Sequence, residues 1–113
     1  MKKKGEQKTM IDTEASKLIT GAVEAELEHI RAVHGNQYNS LHEGYAVLLE
    51  EVEEAENELE RVKEELSDLW LCIKQNDNEG ATNALRRIAT HSHFLIQESV
   101  QVAAVTNKFR GIA

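Results

Sequence analysis

The chain has 113 residues, one domain's worth, enough for a modest core and too few for two. Its net charge of −7 argues against nucleic-acid polymers and anionic membranes as partners, since both select basic surfaces. Proline is absent, glycine is scarce and aromatics make up 4%, which disfavours turn-rich sandwiches and barrels and suits packed helices.

Met1-Lys2-Lys3-Lys4-Gly5 is basic but has no apolar stretch after it, so residues 1–11 are expected to be a flexible basic tail rather than a secretory signal. The rest, 12–113, is expected to be a single helical domain. No apolar run approaches the ~20 residues that span a membrane. Cys72 is the only cysteine, which suits a reducing, cytoplasmic setting, and its neighbours Leu71 and Ile73 predict a buried packing thiol.

A first helix is predicted after Asp12 or Thr13, both good N-caps, with Ala15, Leu18, Ile19, Ala22, Val23, Leu27, Ile30 and Val33 as its apolar face. Gly35 stands where a left-handed residue would end it, and 36–39 form a short polar loop.

Ser40-Leu41-His42-Glu43 is a capping-box pattern that opens a second helix. Leu41, Tyr45, Leu48, Val52, Ala55, Leu59, Val62, Leu66, Leu69 and Ile73 follow in alternating steps of four and three, which is a heptad seam. Running to about Gln75, this helix would be ~50 Å long, more than a three-helix protomer of this size can cover. Self-association into a homo-oligomer is therefore expected.

Residues 76–80 read as a turn. A third helix then carries Ala81, Ala84, Ile88, His91, Leu95, Glu98, Val102, Val105 and Phe109 at seam positions. Two of these, His91 and Glu98, are not apolar. A carboxylate there is costly unless it is paired, hydrogen-bonded or bound to metal. The fold class is thus all-α, a long-helix antiparallel bundle completed by oligomerisation.

Most of the acids of the second helix read as a solvated face. Two pairs stand out, Glu51 with Glu54 and Glu65 with Asp68, because residues three apart project from one face. One turn can give two carboxylates to a hard cation such as Mg²⁺, but ~16 Å of helix separates Glu54 from Glu65, so the pairs cannot serve one cluster. In an antiparallel hairpin about Asp77, facing residue numbers sum to roughly 154. That puts Glu98 and Gln101 within a turn of Glu51 and Glu54, and Arg86 and Arg87 beside Glu65 and Asp68. The first group gathers unneutralised acid, and the second pairs opposite charges.

Glu98 is the leading candidate ligand; its alternative is a buried acid paired with His91 or with a lysine of the first helix. His91 reads as a satisfied core or interface histidine, and His93, two residues on, points too far round the helix to chelate with it. Lys108 and Arg110 either complement the helix dipole or contact phosphate.

The segment from Ser40 to Glu54, with Glu50, Glu51 and Glu54 as a Glu-Glu-x-x-Glu motif, resembles the first motif of the MazG-like all-α nucleotide pyrophosphohydrolases. The His42-Glu43-Gly44-Tyr45-Ala46-Val47 lead-in is similar to a subgroup of small phage and bacterial proteins of this type. The family's second motif is Glu-x-x-Asp on a following helix. Glu65-Leu66-Ser67-Asp68 matches the letters on the same helix, while Glu98-Ser99-Val100-Gln101 matches the position with Gln for Asp. Geometry favours the second, and the substitution removes one negative charge. The resemblance covers about 40–110.

The resemblance implies hydrolysis of a nucleoside triphosphate, ribo- or deoxyribo-, to monophosphate and pyrophosphate. It implies Glu51, Glu54, Glu98 and Gln101 around Mg²⁺, with Mn²⁺ as a substitute, and Glu50 as the base that orients or deprotonates water. Lys108 or Arg110 would then meet the substrate phosphates, the nucleotide arriving as its metal complex, in a dimer or tetramer. The alternatives are a non-catalytic helical nucleotide- or protein-binding module with a degenerate metal site, favoured by Gln101, and an acidic coiled-coil spacer, which leaves Glu98 and His91 unexplained.

Overall fold

The computed structural model describes residues 13–111, so the basic tail expected over 1–11 and Asp12 as a cap lie outside the described residues. Three helices account for nearly all of it: α1 (Thr13–His34), α2 (Leu41–Lys74) and α3 (Asn78–Arg110). Among the described residues no helix is long and apolar enough to cross a membrane.

Each connection is fixed by its own chemistry. Gly35 takes φ +91° and donates to the Arg31 carbonyl at 2.9 Å, closing α1 with a left-handed residue as expected. At the start of α2 the Ser40 hydroxyl accepts the Glu43 N–H at 3.1 Å. The return bond of the box differs from the usual form, because the Glu43 carboxylate reaches past Ser40 and accepts the Asn39 N–H at 2.7 Å.

The α2–α3 turn is tighter than the sequence implies. Asn76 adopts φ +56°, with its N–H on the Ile73 carbonyl and the Asp77 N–H on that of Cys72, a Schellman closure in which asparagine tolerates the left-handed region. Asp77 then caps α3 through the Gly80 N–H at 2.9 Å. Asn78, Glu79 and Gly80 are therefore the first turn of α3 rather than part of the loop. Cys72 is buried beneath that turn, and burial, then Asp68 and Asp77, push its thiol pKa up, as befits a packing residue.

α2 and α3 pair along their length as an antiparallel hairpin, and α1 lies along α3 rather than α2. The core is small: Ile30, Ala104 and Val105, with Val23, Leu27, Tyr38, Val47 and Leu48 against them. Where α2 begins, the absence of a Cβ on Gly44 admits the Phe109 ring, whose Cε1 lies 2.5 Å from where that Cβ would stand. The Tyr38 and Phe109 rings meet edge to face, centroids 6.1 Å apart.

All nine seam positions of α3 are at least partly covered, but the seams of α2 and α1 are not used as expected. On α2 Leu48, Ala55, Val62 and Leu69 turn toward α3, while Leu41, Tyr45, Val52, Leu59, Leu66 and Ile73 remain exposed. One helix covers only one side of a heptad stripe, and α1 is committed to α3. On α1 Ala15, Val23, Leu27 and Ile30 find cover, while Leu18, Ile19 and Val33 are left in water. Within one protomer the long hairpin, 55 Å in its largest extent, is thus a bundle with one open flank.

Candidate metal centre

Glu51 and Glu54 project from one turn of α2, and Glu98 projects toward them from α3. Carboxylate oxygens of the three lie within 4.8 Å of one another. Glu54 is exposed, Glu51 and Glu98 are partly covered, and Glu98 Oε2 is buried with no hydrogen-bond partner. Burial first, then the charges of Glu54 and Glu98, raise the Glu51 pKa to about 7. Burial first, then Glu54, also pushes Glu98 up. Like charges held this close keep a proton between them unless a cation replaces it.

The other polar seam groups find ordinary partners. His91 Nδ1 lies 3.0 Å from Glu58 Oε1, so His91 satisfies Glu58 and not Glu98. Arg87 grips both members of the second acidic pair, Nε on Glu65 at 2.7 Å and an Nη on Asp68 at 2.9 Å. Glu65-x-x-Asp68 is therefore an interhelical clamp, and the letter match is structural. Arg86, expected to share that role, bonds Asn83 Oδ1 at 2.8 Å instead.

Beside the triad a cleft of about 530 Å³ opens between α1, residues 37–39, the start of α2 and the last third of α3, within the size range of small-molecule sites. Glu51 belongs to both triad and cleft, and Glu50 lines the cleft from an exposed position. Gln101 also faces it, but its amide donates to Glu26 Oε2 at 2.7 Å. Lys108, 1% exposed, lines the inner wall with Nζ 4.2 Å over the Tyr38 ring and, among the described residues, no carboxylate within ion-pair distance. Arg110 is exposed on the last turn of α3 and does not line the cleft.

Of the cleft's lining, the sequence points to Glu50, Glu51, Gln101 and Lys108 and not to polar residues such as Glu26, His29 and Tyr38. Glu26 had a legible signal, because it lies three residues after Val23 and four before Ile30, on the buried stripe of α1. His29 and Tyr38 carried none, since the cleft they line is made by elements distant in sequence.

Comparison with protein-family models, with curated proteins and with solved structures finds no match.

Proposed function

We propose that the chain is a metal-dependent nucleoside triphosphate pyrophosphohydrolase of MazG-like type, acting in the cytoplasm. The observation that carries the reading is the convergence of Glu51, Glu54 and Glu98, with a buried unpartnered oxygen on Glu98, at the edge of a cleft that holds Lys108. An all-oxygen donor set from two helices fits Mg²⁺, or Mn²⁺ in its place. The residues that would hold the ion are Glu51, Glu54 and Glu98. Bound there, it would supply charge neutralisation at the phosphates and a lowered pKa for water.

The chain's own residues would do the rest. Lys108, which forms no ion pair among the described residues, is the lysine inside the cleft for the substrate phosphates. Arg110, out on the last turn, would meet them only at the cleft mouth. Glu50 would orient a water and take its proton as the water oxygen bonds to the α-phosphorus. The bond from that phosphorus to the oxygen bridging it to the β-phosphorus breaks, and pyrophosphate leaves with the bridging oxygen. The remaining cleft walls would hold base and sugar.

The Gln101–Glu26 hydrogen bond favours a second reading, a nucleotide-binding module with a weakened metal site. It ties the residue at the fourth ligand position to α1. The deciding experiment measures pyrophosphate and orthophosphate released from ribo- and deoxyribonucleotides with Mg²⁺ and then Mn²⁺, the Glu98→Gln variant alongside. Metal-dependent pyrophosphate that vanishes in Glu98→Gln supports the enzyme. Nucleotide binding without release supports the module.

A further inference from the structure

The exposed flank of α2 has an order of its own. Tyr45, Val52, Leu59, Leu66 and Ile73 recur every seven residues and stand 37–62% exposed, with Leu49 and Trp70 filling alternate positions between them. At 3.6 residues per turn they share one stripe roughly 40 Å long. It presents roughly 600 Å² of side chain to water, at the top of the range for a monomer's largest apolar patch and close to one partner's share of a standard interface.

The two polar members of the stripe are Glu56 and Lys63, three residues before Leu59 and four after it. The pattern therefore reads nearly the same in both directions from Leu59. We infer that the stripe seats a second copy of this chain, the two α2 helices antiparallel about a two-fold axis at Leu59.

In that register Leu59 meets its own counterpart, Val52 lies level with the partner's Leu66, and Tyr45 with the partner's Ile73. Glu56 of each copy lies within one residue of the level of the partner's Lys63, placing two opposite-charge pairs inside the apolar stripe. A parallel pairing would set Glu56 on Glu56 and Lys63 on Lys63, which like-charge repulsion opposes. Among the described residues Lys63 has only an exposed contact to Glu60 at 3.7 Å, a pair weak enough to exchange. The interface is isologous, so it closes at two copies and hides the flank that α3 and α1 leave open. It stands apart from the catalytic reading, because none of its residues belongs to the triad or the cleft.

The test is sedimentation equilibrium of the full chain at micromolar concentrations. A dimer is expected, and Leu59→Glu should weaken it by about a hundredfold or more while helical circular dichroism persists. In a Cys72→Ala background, Leu59→Cys should form a disulfide with its own counterpart on oxidation. Leu66→Cys alone should not, whereas a mixture of Val52→Cys and Leu66→Cys chains should cross-link to each other. Glu56→Lys should weaken association and the added Lys63→Glu should restore it, an arm that decides the matter should Leu59→Glu fail to fold. A monomer throughout, self-cross-linking by Leu66→Cys, or a dimer indifferent to Leu59→Glu and to the charge swap would each overturn the inference. A dimer that releases no pyrophosphate upholds the interface and counts against the catalytic reading alone.

Discussion

Glu98 of α3 lies against Glu54 of α2, and the Glu98 oxygen that is buried there accepts no hydrogen bond. The arrangement costs stability in the empty protein and favours whatever neutralises it. Glu98→Gln removes a like charge and gives Glu54 a donor. The metal-free variant should unfold at higher temperature than the native chain at neutral pH, by an amount on the order of 1 kcal/mol. Added Mg²⁺ or Mn²⁺ should raise the melting temperature of the native chain and leave that of the variant in place. A native chain blind to both ions in calorimetry would remove the basis for a metal centre.

The pH dependence of the empty site has a definite sign. Glu51 titrates at about 7 in the folded chain, above its ordinary value of 4.5. A carboxyl whose pKa rises on folding contributes stability while it is protonated, fully below about 4.5, and loses that contribution as pH climbs through about 7. With a chelator present, Glu51→Gln should therefore differ little from the native chain at pH 5 and be the more stable of the two at pH 8. Metal affinity should run the opposite way, strengthening from pH 6 to pH 8 as protons leave the site. Thermal melts of both proteins across that range check the first statement, and isothermal titration the second.

Arg87 offers the contrasting case of satisfied acid. Its guanidinium bridges Glu65 and Asp68 while remaining about half exposed, so the clamp contributes modestly. Arg87→Ala should lower stability by about 1 kcal/mol in urea denaturation and leave divalent-cation binding unchanged. Altered metal affinity would place the Glu65–Asp68 pair in the site after all.

The contrast between these two acidic pairs was visible in the sequence. Spacing placed Glu51 with Glu54 and Glu65 with Asp68, and the antiparallel register brought Glu98 to one and Arg87 to the other. Both follow from helical geometry and a short turn, and both depend on local order. The excess length of α2 over its cover was legible, but the assignment of α1 to α3 and the half of α2's seam left open were not, because an apolar stripe does not name the element that covers it. The cleft was missed for the same reason. Lys108 and Tyr38 lie 70 residues apart, and a dipole-complementing lysine reads the same as one folded inward under a ring.

Two glycines should respond to alanine with opposite signs. Gly21 sits within α1 with nothing within 4 Å of its missing Cβ, so Gly21→Ala should stabilise by up to about 1 kcal/mol through helix propensity. Gly44 sits within α2 against Phe109, where the same propensity gain meets a ring that must move. Gly44→Ala should destabilise by about 1–3 kcal/mol net, the usual range for overpacking. Because the shifted Phe109 ring packs on Tyr38, the variant should also perturb the cleft, seen as altered Tyr38 ring resonances in NMR spectra. Stabilisation at both positions would mean that the Gly44–Phe109 contact is slack.

Lys108 separates a structural role from a binding one. A buried ammonium over an aromatic ring recovers part of its lost hydration through the cation–π contact. Lys108→Met keeps the length and most of the packing while deleting the charge, so the empty protein should be as stable as the native chain or more so. If the lysine is held inward to meet phosphate, the same change should weaken binding of a nucleoside triphosphate–Mg²⁺ complex by about tenfold or more, the usual worth of a charge-assisted contact. Equilibrium binding beside urea denaturation reads both quantities on one pair of proteins. Loss of stability with binding untouched would assign Lys108 to the Tyr38 contact alone and leave the cleft without a cation of its own.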